Sequence, residues 1–172
     1  MIVRKTETAD IAQVNALYEA ARAYFKQMGI PQWQLSYPGI PDIAGDIEQG
    51  TGYVIEHEGR ILGAACLAVM DDPTYRVIAD GRWLNDERYC VMHRIAMDPA
   101  SKGAGLGALL VAQAAAIARE NGLTDVRADT HEINHSMRRF LEKNGFVHCG
   151  TIFLADGAPR VAYHKVLKKE TD

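Results

Sequence analysis

The stretch MHRIAMDPASKGAGLGALLVAQAA, Met92 to Ala115, constrains this chain more than any other. An apolar, strand-like run stops at Asp98-Pro99, becomes glycine-rich, and turns into an alanine-rich helix. Gly103, Gly105 and Gly107 fall at alternate positions, which suits a backbone that curls with positive φ and exposes successive N–H groups. A helix starting there adds unpaired first-turn donors and the positive end of its dipole, and Lys102 adds a point charge. Such a junction suits a phosphate or pyrophosphate. The bland alternative is a turn that only brings helix and strand close.

Two nucleotide readings weaken on spacing. A P-loop closes with Gly-Lys-Ser/Thr, whereas Gly107 is followed by Ala108. A dinucleotide fingerprint is GxGxxG after the first strand of a βαβ unit; here the spacing is GxGxG and the strand is late in the chain.

The rest of the chain reads as a β-α-α-β-β-β-α-β-α-β-β succession. A strand at 2–6 is followed by a helix from a Thr8 cap to about Met28, with Ile11, Val14, Leu17, Tyr18 and Ala21 on one face. Gly29 and Pro31 end it, and a proline-rich loop leads to a short helix near Asp42 to Gln49. Two strands then turn tightly at Glu58-Gly59. DDPTYRVIADGRWLNDE reads as an irregular excursion before a strand over Arg88 to Met97. A helix over Gly105 to Asn121 is closed by Gly122, and a strand runs from Val126 to Thr130. A helix over Asn134 to Asn144 stops at Gly145; strands over Phe146 to Leu154 and Arg160 to Leu167 finish the chain. This predicts an α/β (α+β) fold with a mixed central sheet of about six to seven strands and helices on both faces.

With 172 residues, 48% of them hydrophobic, the expectation is a single domain over 1–172. A formal charge of −3 gives no general attraction to nucleic acid or anionic lipid, so neither is expected as a partner. Cys66, Cys90 and Cys149 are too widely spaced for a metal knuckle, and each sits in an apolar run, so they read as buried thiols and no metal is expected. The opening MIVRKTETADIAQV lacks the apolar core of a signal sequence, and no apolar run reaches about 18 residues, so the expected location is cytoplasmic.

MDPASKGAGLGALLV resembles the acetyl-CoA signature of the GNAT acetyltransferase superfamily: an aliphatic residue, x-Pro, then Arg/Gln-x-x-Gly-x-Gly/Ala opening a helix, here Met97, Pro99, Lys102, Gly105 and Gly107. Lys102 departs from the usual Arg/Gln. NHSMRRFLEKNGF, Asn134 to Phe146, resembles the superfamily's Asn-x-x-Ala helix ending in Gly-Phe. By motif the resemblance spans roughly Arg88 to Leu167, and the earlier half matches in element order.

The resemblance implies a single GNAT-like domain that transfers an acetyl group from acetyl-CoA to a primary amine of a small molecule by direct attack on the thioester. The alternative is a non-catalytic acyl-CoA-binding or sensing module. It implies that the backbone at Ile95, Ala96 and Met97 and the loop Lys102, Gly103, Ala104, Gly105, Leu106, Gly107 and Ala108 hold the coenzyme. It implies that Asn134 contacts the pantetheine; Asn is equally a preferred helix cap. A homodimer is the oligomeric state to look for first.

An ammonium has no lone pair, so a base is required. His93 lies two residues before Ile95, on the same strand face by period two, and some relatives place a water-mediated histidine base there. Tyr89 falls on that face earlier, and Asp86 or Glu87 could serve through water. Many relatives use a tyrosine seven residues after the Asn as acid, but this chain has Leu141 there, which leaves water, Tyr163 or His131 to protonate the thiolate. Trp33, Tyr37, Tyr75 and Trp83 could line an acceptor pocket, with Asp71, Asp72 or Glu87 pairing the ammonium; plugging the core edges is the alternative for the tryptophans.

Overall fold

In the computed structural model, residues 1–101 and 103–168 are described. Eleven regular elements carry the fold: β1 (Ile2–Lys5), α1 (Ile11–Gln27), α2 (Ile40–Glu48), β2 (Gly52–His57), β3 (Arg60–Val69), β4 (Cys90–Met97), α3 (Gly107–Glu120), β5 (Asp125–Thr130), α4 (His135–Lys143), β6 (Val147–Phe153) and β7 (Pro159–Val166). The seven strands form one sheet in the order β1-β2-β3-β4-β5-β7-β6. β4 pairs β5 in parallel, whereas β1–β2, β2–β3, β5–β7 and β6–β7 are antiparallel. The expected mixed α/β sheet is therefore present, with all seven strands and four helices in the expected order.

The chain forms two compact units, one of Met1–Leu67 with His93–Gln113, the other of Ala68–Met92 with Ala114–Asp172. In the first unit, α1 buries Val14, Leu17 and Tyr18 at helical spacing against Ile43 of α2 and Val54, Ile61, Ala64 and Ala96 of the strands. Ile11 and Ala21 flank that stripe, as their spacing predicts. The β2–β3 hairpin turns at Glu58 and Gly59, both left-handed at φ 51° and 78°, the backbone that a two-residue hairpin turn demands. Gly63 of β3 is needed for contact: a Cβ there would lie 2.7 Å from the Met97 sulfur.

The start of α1 differs from expectation. Thr8 begins a 3₁₀ turn, Thr8–Asp10, and the α-helix starts at Ile11. The reason is Asp10, whose Oδ2 accepts the Glu7 N–H at 2.8 Å while Arg4 donates to both of its oxygens. That set satisfies the helix entry without the Thr8 hydroxyl.

In the second unit β5, β7 and β6 form an antiparallel ladder. The irregular excursion has structure of its own: a 3₁₀ turn at Pro73–Tyr75, then a bridge in which Ala79 and Thr151 exchange N–H···O bonds of 2.8 Å each. Gly81 sits against β6 so closely that a Cβ would lie 2.0 Å from the Cys149 carbonyl oxygen. Non-local pairing of this kind has no signature in the local sequence.

Candidate functional site

The junction from β4 to α3 is built by Asp98. Its carbonyl accepts from the Ser101 N–H at 2.9 Å, and its carboxylate accepts from Ala100 N–H and the Ser101 hydroxyl at 3.3 Å each. Gly103 and Gly105 follow in left-handed backbone, φ 89° and 76°, with open space where a Cβ would stand. Gly107 corrects the expectation of three left-handed glycines: it is the first residue of α3 and helical. Ala104 and Ala108 donate their N–H groups to Ser101 and Gly105, which takes two of the expected donors out of use. Among the described residues no carbonyl accepts from Gly103, Gly105, Leu106 or Gly107, so these four carry the anion-binding capacity of a 14-residue helix N-terminus. Lys102 lies outside the described residues.

The parallel ladder between β4 and β5 runs from Cys90↔Val126 to Met92↔Ala128 and ends. Ile95, Ala96 and Met97 lie beyond its last pair. An extended ligand can be recognised by backbone of this kind. The group expected there, coenzyme A with its pyrophosphate and extended pantetheine, fits both features of the β4–α3 segment.

His93 is half-buried on β4. The pleat argument that placed it on one face with Ile95 fails, because Arg94 between them is left-handed at φ 52° and interrupts the two-residue alternation. Arg94 itself makes a forked pair with Asp46 of α2, Nε to Oδ2 at 3.0 Å and Nη2 to Oδ1 at 2.5 Å, and donates to the Tyr37 hydroxyl at 3.3 Å. Burial pulls its pKa down, and the Asp46 carboxylate outweighs this and holds the guanidinium above its ordinary value.

Tyr163 on β7 is fully buried. Its hydroxyl donates to Glu142 at 2.9 Å and accepts from Arg138 Nε at 3.1 Å, which ties α4 to the sheet. Burial raises its pKa. A phenol whose proton is already engaged by a carboxylate is poorly placed to deliver it, which corrects the expectation of Tyr163 as acid. His131 accepts the Ile133 N–H at Nδ1, 3.3 Å, and its pKa is lowered by burial and then by Arg160, so it stays neutral at neutral pH. Leu141, in the usual tyrosine position, is fully buried. Asn134 is the α4 cap, its Oδ1 accepting from Met137 N–H at 3.1 Å.

The aromatic residues sort by unit. Trp33 stacks edge-on with Tyr18 and Phe25, centroids 5.7 and 5.4 Å apart, and packs against the first unit's core, which supports the plug reading. Tyr37 is exposed and receives Arg94. In the second unit Trp83 and Glu87 border one cavity together with Asp71, Tyr75 and Tyr89. Tyr75 donates to Asp129 at 2.6 Å, and Trp83 Nε1 donates to the Tyr75 carbonyl at 2.9 Å.

The second unit also holds a buried network that sequence reading missed. Asp125 accepts from Asn85 at 2.7 Å, Thr124 at 2.7 Å and His164 Nε2 at 2.8 Å, while His164 Nδ1 accepts the Leu84 N–H. Arg127 stacks between Trp83 and Tyr89. A signal was available: alternation along DVRADT puts Asp125, Arg127 and Asp129 on one strand face, an unusual load of charge for a strand buried along most of its length.

Residues 14–146 match the model of the acetyltransferase (GNAT) family. The chain belongs to the GNAT acetyltransferase family. A GNAT-family acetyltransferase from Streptococcus agalactiae shares 34% identity over 98% of this chain and 96% of its own, with a TM-score of 0.88. A GNAT-family acetyltransferase from Listeria monocytogenes, at 24% identity, covers 96% of this chain and 94% of its own with a TM-score of 0.71. A ribosomal-protein-alanine N-acetyltransferase from Brucella melitensis, at 18% identity, covers 97% of this chain and 100% of its own with a TM-score of 0.70; these last two show the fold alone. No curated protein matches the chain. This GNAT protein is an N-acetyltransferase, and its family uses acetyl-CoA as cosubstrate. Among the described residues no cluster of His, Cys, Asp and Glu is arranged for a metal ion, and no helix is long and apolar enough to cross a membrane.

Proposed function

We propose that residues 1–172 act as one acetyl-CoA-dependent N-acetyltransferase domain whose acceptor is the primary amine of a small molecule. The observation that carries this reading is the loop before α3, where Gly103 and Gly105 are left-handed and four amides are uncommitted among the described residues. Bound acetyl-CoA supplies an acyl carbon activated as a thioester. The amides of Gly103, Gly105, Leu106 and Gly107 hold the pyrophosphate, with Lys102 adding charge, and the β4 backbone at Ile95 to Met97 orients the arm. Asn134 adds a side-chain contact to the pantetheine.

His93 takes the proton of the incoming ammonium, directly or through one water, so that the nitrogen lone pair can form the new C–N bond. As that bond forms the C–S bond breaks, its electron pair stays on sulfur, and the acylated nitrogen gives up its surplus proton to water. With Leu141 in the core and the Tyr163 proton engaged by Glu142, water supplies the proton that the departing sulfur needs. A thiolate with an ordinary pKa near 8.5 tolerates this. Cys66, Cys90 and Cys149 are buried thiols, in keeping with a cytoplasmic protein.

The missing tyrosine also favours a second reading, a module that binds acyl-CoA without turning it over. A thiol-release assay with acetyl-CoA and a chemically diverse amine panel separates the two. Amine-dependent release supports catalysis; saturable coenzyme binding with no release from any amine supports the sensor and overturns the enzyme.

A further inference from the structure

Arg94 is the single residue between His93, the base assigned above, and the backbone of Ile95 to Met97 assigned to the coenzyme arm, and all of these belong to the first unit. Rotation about the Arg94 backbone therefore swings the histidine against the arm-binding segment. Its φ of 52° lies about 170° from the φ near −120° of an ordinary strand residue. Among the described residues five non-glycines are left-handed, and the other four, Trp33, Leu35, Glu58 and Asp80, lie outside the strands.

Arginine does not favour this conformation by itself, because its Cβ crowds the following carbonyl oxygen as that of any L-residue does. Glycine adopts it freely, and Gly103 and Gly105 meet the same need in the loop that follows. Arg94 is instead held from the far end of its side chain. Nε and Nη2 fork onto the two oxygens of Asp46, and Nη1 donates to the Tyr37 hydroxyl. A planar fork on a carboxylate fixes direction as well as distance.

The fixed end of the pair is Asp46. Its carbonyl accepts the Thr51 N–H at 2.9 Å, and Thr51 Oγ1 lies 3.4 Å from that carbonyl oxygen and from Oδ1. A Cβ on Gly52 would stand 3.3 Å from the Asp46 Cβ. The chain between α2 and β2 thus packs around this residue and leaves it little room to follow the guanidinium. A buried ion pair adds little net stability over an apolar pair of equal size, so the selection of one conformation is the role this geometry favours.

We propose that Asp46 is a positioning residue for acetyl transfer: its fork on Arg94 holds residue 94 left-handed, and that backbone sets the direction in which His93 meets the substrate amine. The proposal rests on His93 as the base and extends it to a residue of another element, 48 positions before Arg94 in the chain. Backbone strain kept in place by its surroundings is a recurrent feature of sites whose geometry matters.

The test compares glycine with valine at position 94, because glycine takes a left-handed backbone unaided and a β-branched residue resists it. Asp46→Asn/Arg94→Gly and Asp46→Asn/Arg94→Val both lack the ion pair and leave no lone charge. The first readout, NMR of the intact protein, needs no acceptor. A strong intraresidue cross-peak between the amide and α protons of residue 94 marks positive φ, where the two protons approach closely, and Asp46→Asn should weaken it severalfold. The His93 ring signals, identified by their loss from His93→Ala, should lie nearer their original positions in the glycine double variant than in the valine one.

The second readout is thiol release from acetyl-CoA with the most active amine of the panel above. The glycine double variant should exceed the valine one about tenfold or more in kcat, with KM for acetyl-CoA equal within about twofold. Asp46→Glu should restore part of the kcat that Asp46→Asn loses. Thermal unfolding checks that each variant folds, and rates are taken below its transition. If Asp46→Asn alone does not fold, the two double variants carry the test; if the valine one does not, Asp46→Asn/Arg94→Ala takes its place. Positive φ persisting in folded Asp46→Asn, or double variants that match in kcat or in His93 signals, overturns the proposal. Full turnover in His93→Ala defeats the base assignment alone, because the residue 94 cross-peak still reports the hold of Asp46. If no amine releases thiol, the acetyl-transfer reading fails and the NMR signals alone decide the positioning.

Discussion

Arg94 of β4 and Asp46 of α2 form a forked ion pair, with side chains only 18% and 9% exposed, at the residue where the strand alternation breaks. The pair fastens α2 to Arg94 of β4 within the first unit. Removing one partner of a buried pair leaves the other charge uncompensated, at about 3–5 kcal/mol. Asp46→Asn should therefore lower unfolding stability by about that amount in urea titration. The double replacement Asp46→Leu with Arg94→Met should cost less than the sum of the singles, because no lone charge remains. Simple additivity would show that the pair is energetically idle.

His93 is the base assigned to the amine. His93→Ala should reduce kcat by about 10²- to 10⁴-fold, the usual contribution of a positioned base. Coenzyme affinity should stay close to that of the unmodified protein. An unchanged kcat with a proven acceptor would return His93 to a packing role.

Acid should unfold this protein in two stages through Asp125 and His164. Burial lowers the His164 pKa below its ordinary 6.5, outweighing the opposing pull of Asp125. The unfolded chain then binds more protons than the folded one as pH falls below 6.5, so stability is full above that value and declines beneath it, by at most about 1.4 kcal/mol per pH unit. Asp125 is lowered from 3.8: burial alone would raise it, and the bonds from Thr124, Asn85 and His164 overcome that. Its contribution is present above 3.8 and is lost as pH falls through the folded value. Protonated His164 also loses the Nδ1 lone pair that accepts Leu84 N–H, loosening the excursion. His164→Gln should flatten the slope of stability against pH just below 6.5 and leave the lower stage in place. An unaltered upper stage would mean that another group titrates there.

The parts of the fold legible in the sequence are those fixed by local chemistry. Glu58-Gly59 specifies its hairpin, the spacing of Val14, Leu17 and Tyr18 specifies the buried face of α1, and Asn134 caps α4. The glycine junction announced a left-handed turn at Gly103 and Gly105, although Gly107 lies in the helix and not in the curl. What was hidden depends on distant partners. Nothing local marks Arg94 as left-handed, since arginine has no preference for that region; Asp46, 48 positions earlier, receives its side chain there. Thr8 lost its capping role to Asp10 because Arg4 is at hand. The cluster of Arg127 with Trp83 and Tyr89 joins β5 to an excursion whose course is set by the Ala79 bridge to β6.

The central claim is that loop amides from Gly103 to Gly107 grip the pyrophosphate of coenzyme A, and calorimetric titration of the folded protein with coenzyme A tests it most directly. Saturable heat at one site per chain is the expected result. Gly105→Val should lose at least about tenfold in affinity, because a β-branched residue opposes φ 76° and its side chain stands beside the bound phosphates, although no protein atom lies within 4 Å of the new Cβ. Absence of heat with either acetylated or free coenzyme A, or full affinity in a folded Gly105→Val protein, would contradict the account.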